Sequence, residues 1–182
     1  MIFTPTKIPE VILISPHLYQ DDRGNFLEAY RHDQFAQNGI PVQFVQDNHA
    51  GSKLGVLRGL HYQIQNSQGK LIRVISGDIF DVAVDLRKNS PTFGKHVGIR
   101  LDDQEKKMLW IPPGFAHGYY VMSSWAEVGY KVTDYYAPGF ERTIVWNDPE
   151  LKISWPILED GHPILSENDH QAKTFQDADL YE

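Results

Sequence analysis

Ile79-Phe80-Asp81-Val82-Ala83-Val84-Asp85 alternates strictly, placing Asp81, Ala83 and Asp85 on one face of a strand and Phe80, Val82 and Val84 on the other. One face of the sheet it joins is therefore expected to be buried more completely than the other. On either side of it, β-branched and aromatic runs recur at short intervals, each closed by Gly, Pro, Asn or Asp. They fall at 11–14, 26–30, 44–48, 56–63, 71–75, 96–101, 107–111, 118–121, 127–132 and 143–146. Helix is expected only at 31–38, stopped by Gly39 and Pro41, and at 166–171, where Ser166 caps a turn rich in acidic residues. So much strand and so little helix predicts an all-β chain, an antiparallel sandwich or barrel of jelly-roll type.

A chain of 182 residues that is 41% hydrophobic is long enough to close one core around a cavity, so a single domain over 1–182 is expected. The composition turns polar after Leu158, and 159–182 reads as a C-terminal arm folding back on the barrel. A net charge of −7, with 17 Lys and Arg scattered rather than clustered, argues against a nucleic-acid surface. The absence of cysteine excludes a disulfide framework and thiolate metal sites. Met1-Ile2-Phe3-Thr4-Pro5-Thr6-Lys7 lacks the basic start and apolar core of a secretion signal, and no apolar run reaches membrane-spanning length. A cytoplasmic protein without membrane or nucleic-acid partners is expected.

The chemistry concentrates in Leu57-Arg58-Gly59-Leu60-His61-Tyr62-Gln63, in Lys70, and in Pro112-Pro113-Gly114-Phe115-Ala116-His117. Two histidines, an arginine and a lysine on β segments put a base and fixed positive charge into one pocket, which suits proton transfer on an anionic substrate. The spacing of Gly55 to His61 resembles the opening of the first cupin motif, and Pro112-x-Gly114-x-x-His117 resembles the second. A metal-binding cupin needs a second histidine two positions after the first and a glutamate shortly beyond. Here Gln63 takes the first place, and Asn66-Ser67-Gln68-Gly69-Lys70 supplies a cation where the carboxylate is needed. The expected architecture is therefore cupin-like, with no metal and no other cofactor.

Further blocks sharpen the reading. Asp22-Arg23-Gly24, Phe44-Val45-Gln46-Asp47-Asn48, Gly69-Lys70-Leu71, Phe80-Asp81-Val82-Ala83-Val84-Asp85-Leu86-Arg87, Ser90-Pro91-Thr92-Phe93-Gly94, Trp110-Ile111-Pro112 and Gly114-Phe115-Ala116-His117-Gly118 complete a set. Together with the His61 block, their order and spacing resemble the dTDP-4-dehydrorhamnose 3,5-epimerase family from about Val11 to Asp169. The resemblance implies cofactor-independent inversion at C3 and C5 of a dTDP-linked 4-keto-6-deoxyhexose. It implies His61 as base, Asp169 as its carboxylate partner, Tyr130 as acid across the ring, and Lys70 with His117 at the enolate oxygen. It also implies nucleotide or sugar contacts from Arg23, Glu28, Gln46, Asp47, Asn48, Arg58 and Glu141, with Phe26 and Tyr135-Tyr136 as an aromatic platform for the base. A homodimer that exchanges N-terminal strands goes with it. Asn168 departs from the lysine that relatives often carry.

Each residue also has a plain structural reading. By residue type alone His61 fits a hydrogen-bonded interior histidine as well as a base, and His117 fits a turn residue bonding backbone. Tyr130 is one of nine tyrosines and fits core packing, Asp169 fits a helix cap, and Lys70 fits a solvated strand start. Three other functions use the same barrel. A C3-only epimerase shares base and acid, a sugar-nucleotide 3,4-ketoisomerase returns the proton elsewhere, and a non-catalytic sugar-binding module keeps its affinity when His61 is replaced.

Overall fold

The computed structural model describes residues 1–158 and 161–182, so the first two residues expected in the C-terminal arm lie outside the described residues. Thirteen strands are described: β1 Ile2–Pro5, β2 Ile12–Ser15, β3 Leu18–Asp21, β4 Gly24–Leu27, β5 Gln46–Lys53, β6 Leu57–Gln63, β7 Lys70–Ser76, β8 Asp78–Asp85, β9 His96–Asp102, β10 Met108–Ile111, β11 Phe115–Val121, β12 Trp125–Val132 and β13 Glu141–Thr143. Two short helices, α1 His32–Gln37 and α2 Glu167–His170, fall where the stop signals and the Ser166 cap put them. The strands form a six-stranded sheet in the order β1-β2-β10-β7-β12-β5, a five-stranded sheet in the order β13-β6-β11-β8-β9, and a separate hairpin β3-β4. Every pairing between these strands is antiparallel. The architecture is the expected cupin-like sandwich.

The strand that opened the reading corrects one expectation. In β8 both faces are buried: Ile79 and Ala83 join the core between the two sheets, while Val82 and Val84 join a second core outside the five-stranded sheet. The second core exists because Leu151, Trp155, Phe175, Leu180 and Tyr181, from the chain after β13, lie across that face. Alternation of polar and apolar residues therefore separates two buried environments here. Asp85 is accommodated by Arg87, Ser90 and Thr92. Burial alone would raise its pKa, but the bonds these residues donate outweigh it and hold the carboxyl down at about 2. Asp81 has a functional partner, described below.

Three further differences have local causes. The strand expected at 26–30 ends at Leu27, because Tyr30 turns away to pack edge-on against Phe35 of α1 and against Phe44. Phe44 is spent on that cluster and on Trp110, so β5 begins two residues later and runs to Lys53. Short β1 carries Pro5 at a sheet edge, where a missing N–H costs no ladder bond.

Candidate active site

The motif Leu57-Arg58-Gly59-Leu60-His61 forms an irregular strand. His61 pairs with His117 and Arg58 with Tyr119, so Gly59 and Leu60 together oppose Gly118 and the register shifts. This extra residue turns Arg58 and His61 to the same side, which strict alternation would forbid. Position 59 must be glycine: its φ is +123°, and a Cβ there would lie 2.5 Å from the Gly118 Cα.

Arg58 and His61 open into a cavity of about 330 Å³ between the two sheets. One wall belongs to the five-stranded sheet and carries Arg58, His61, His117, Tyr119 and Glu141. The facing wall belongs to the six-stranded sheet and carries Gln46, Asn48, Lys70 and Tyr130, with Tyr130 directly opposite Asn48 in the β12–β5 ladder. The His61 imidazole and the Tyr130 hydroxyl thus stand on different walls of one chamber.

His61 bonds through Nε2 to the Asp169 Oδ1 at 2.6 Å, and Asp169, only 2% exposed, also accepts from the Ser166 hydroxyl at 2.7 Å. Burial pushes the Asp169 carboxyl up, but the bond and charge of His61, with the Ser166 bond, outweigh it and leave its pKa below the ordinary value. An ionised carboxylate only accepts, so His61 donates through Nε2, and in the neutral ring the lone pair lies on Nδ1. The imidazole side chain is 34% exposed, open enough to meet a substrate.

His117 makes the parallel bond, Nε2 to Asp81 Oδ2 at 2.8 Å, with both groups buried. Burial lowers its pKa against the pull of Asp81, and nearby Lys70 and His61 lower it further. Lys70, buried at the start of β7, is drawn down by burial to about 8 while Asp81 and Glu141 pull the other way, and its Nζ lies 3.4 Å from the His61 carbonyl. Burial raises the Tyr130 phenol, Arg58 opposing and Glu141 reinforcing the shift. Near neutral pH the cavity therefore holds an ammonium on Lys70 and a protonated phenol on Tyr130.

The other expected contacts divide. Gln46, Asn48, Arg58 and Glu141 line the cavity, and Tyr136 joins them, its hydroxyl donating to Glu141 at 2.9 Å. Asp47 does not: alternation along β5 sends it to the outer face, where it pairs with Lys131 at 2.6 Å beside a separate groove. Arg23 sits at the tip of the β3–β4 hairpin, 90% exposed and bonded to Asp21, and Glu28 lies beside Arg31. Neither lines this chain's own cavity, and Phe26 on the same hairpin is 70% exposed. Asn168 borders a different surface hollow with Arg142 and Lys173.

Sequence reading missed Asp81 as the partner of His117. The signal was available, since an aspartate amid valines must be paired when both faces of its strand are buried. It also missed Tyr119, whose buried hydroxyl is unpartnered among the described residues, and Ser166 as an anchor of Asp169 as well as a cap. At position 63, where a metal-binding cupin places a histidine, the Gln63 amide is engaged with backbone of the 135–137 segment.

Known proteins share this architecture and sequence. A dTDP-4-dehydrorhamnose 3,5-epimerase from Pseudomonas aeruginosa is 58% identical over 98% of both chains. A crystal structure of dTDP-6-deoxy-D-glucose-3,5-epimerase from Legionella pneumophila, in complex with dTDP-4-keto-L-rhamnose, superposes with a TM-score of 0.96 at 46% identity, covering 100% of this chain and 97% of that one. A 3'-monoepimerase from Streptomyces bikiniensis, in complex with dTDP-quinovose, is further away, with a TM-score of 0.87 at 31% identity over 94% and 87% of the two chains. Residues 5–177 match the family described as dTDP-4-dehydrorhamnose 3,5-epimerase, and with a carboxylate-backed histidine facing a tyrosine across its cavity, the chain belongs to that family.

Proposed function

We infer that this protein inverts C3 and C5 of dTDP-4-dehydro-6-deoxy-D-glucose to give dTDP-4-dehydro-L-rhamnose. The observation that carries the reading is the pair of opposed walls, with His61 backed by Asp169 on one sheet and Tyr130 on the other. The hydrogens on C3 and C5 both flank the C4 ketone, so removing either one leaves an enolate with its charge on O4. His61 Nδ1 takes the proton from one face, and the Asp169 carboxylate stabilises the imidazolium that forms. The Tyr130 hydroxyl returns a proton from the opposite face. General acid–base transfer of this kind contributes about 10²–10⁴-fold, so it needs charge stabilisation beside it.

That stabilisation comes from Lys70, an ammonium only 8% exposed, whose fixed charge faces the position of the developing oxyanion. His117 already donates its Nε2–H to Asp81, so it can donate from Nδ1 to O4 only as an imidazolium, a form that its burial disfavours. Lys70 therefore carries the enolate charge, and His117 holds Asp81 and shapes the wall. Arg58 is suited to the diphosphate through its guanidinium, and Gln46, Asn48 and Glu141 to the sugar and nucleotide.

The exposed hairpin supports a homodimer in which β3–β4 of one copy completes the cavity of the other. It belongs to neither large sheet, presents Tyr19 and Phe26 to solvent, and carries Arg23 away from its own cavity. A mass measurement giving a monomer at micromolar concentration would remove that support. The central test is turnover of the 4-keto sugar nucleotide in D₂O. Deuterium at both C3 and C5 of the L-sugar is expected; label confined to C3 would replace this reading with a C3-only epimerase.

A further inference from the structure

Gln63 stands two residues beyond His61 on β6 and is only 4% exposed. Its amide is fully committed to main chain. Oε1 accepts from the Ala137 N–H at 2.8 Å, and Nε2 donates to the carbonyls of Asn66 at 2.8 Å and Tyr135 at 3.3 Å. Two of these bonds grip the segment joining β12 to β13, on either side of Tyr136. Tyr136 in turn donates its N–H to Gln46 Oε1 at 3.0 Å and its hydroxyl to Glu141 Oε2 at 2.9 Å, while Gln46 donates to Asn48 Oδ1 at 2.8 Å. The bonds form one connected collar, and Gln46, Asn48, Tyr136 and Glu141 all line the cavity.

Packing does not place Tyr136, which is 52% exposed, and Pro138 removes a backbone donor from the same segment. An exposed side chain on such a segment loses conformational freedom when it meets a ligand, unless something orders it beforehand. We propose that Gln63 is a positioning residue: its amide latches 135–137 so that Tyr136 and Glu141 are pre-set to receive the nucleotide sugar. The proposal rests on the function inferred above. The strand position that in a metal-binding cupin presents a ligand here holds a loop.

Four variants test it: Gln63→Met, near in shape but without hydrogen bonds; Gln63→Glu, which keeps the acceptor for Ala137 and loses both donors; Tyr136→Phe; and the Gln63→Met/Tyr136→Phe double. Amide hydrogen exchange at Ala137 reads the latch directly, whatever the enzyme turns over. In Gln63→Met that amide should lose its protection, and KM should rise about tenfold, the worth of one lost bond, with kcat within about threefold of wild type. Gln63→Glu sets a carboxylate oxygen against the Asn66 and Tyr135 carbonyls, should lose protection at Ala137 and raise KM at least as far, and decides the matter if the Met variant does not fold. In the double variant the KM effects should overlap instead of multiplying. Retained protection in Gln63→Met, multiplying effects, or a lowered melting temperature with unchanged KM would each overturn the latch. A wild-type protein without epimerase activity would sink the function and leave the exchange result standing.

Discussion

Replacing Asp169 by Asn changes one atom in the His61 dyad and should cost the enzyme most of its turnover. The carboxylate makes a 2.6 Å bond to Nε2 and supplies the charge that meets the imidazolium. A hydrogen bond to a charged group is worth about 1.5–3 kcal/mol, which at about 1.36 kcal/mol per decade is roughly 10–150-fold in rate. A second effect adds to it. The Ser166 hydroxyl donates to Oδ2 at 2.7 Å, so the asparagine oxygen is held on the serine side and its NH₂ turns toward His61. Nε2 must then accept, the ring proton moves to Nδ1, and the lone pair needed for abstraction is gone. Tautomer reversal of this kind costs about 10⁴ in a Ser-His-Asp triad, so kcat should fall by about 10²–10⁴ with KM within about threefold. Wash-in of solvent deuterium at C3, followed by NMR, measures the abstraction step by itself. A variant that exchanges C3 within about threefold of the wild-type rate would refute the dyad.

Other outcomes follow from the same cavity. Lys70 acts as an ammonium and burial brings it to about 8, so its active form is lost as pH rises: kcat/KM should show an alkaline limb near pH 8, and Lys70→Ala should cut kcat more than affinity for dTDP. Tyr130→Phe should still exchange C3 hydrogen with solvent but form little inverted sugar; full inversion would move the acid elsewhere. His117→Ala strands the buried Asp81 charge, whose other oxygen has no partner among the described residues, and should cost about 3 kcal/mol or more in urea unfolding. Incubation with EDTA should leave the rate unchanged, because Gln63 and Lys70 stand where a cation's ligands are needed.

Strands were legible wherever residues alternate or branch at Cβ, as in β6, β7, β8 and β12. They were expected too far where the chain uses its aromatics for a separate task, as Tyr30 and Phe44 do around α1. His61, Lys70 and His117 could be suspected from residue type and spacing alone. Asp169 could not: it meets His61 from 108 residues away, and by itself reads as part of a capped turn. Tyr130 was equally hidden among similar side chains, and only family likeness raised either one. Asp47 fell out for the simplest reason, since a strand residue between two inward neighbours must point outward. Asp81 was quoted as a face marker and overlooked as a partner, because its strand was expected to have one open side.

Because His61 and Tyr130 stand on different sheets, the thickness of the sandwich sets the distance between them. Packed sheets lie about 10 Å apart, held there by side chains such as Ile72, Val74, Phe115 and Val128, none of which lines the cavity. The gap between His61 and Tyr130 is therefore set by the apolar interior as much as by the residues that line it.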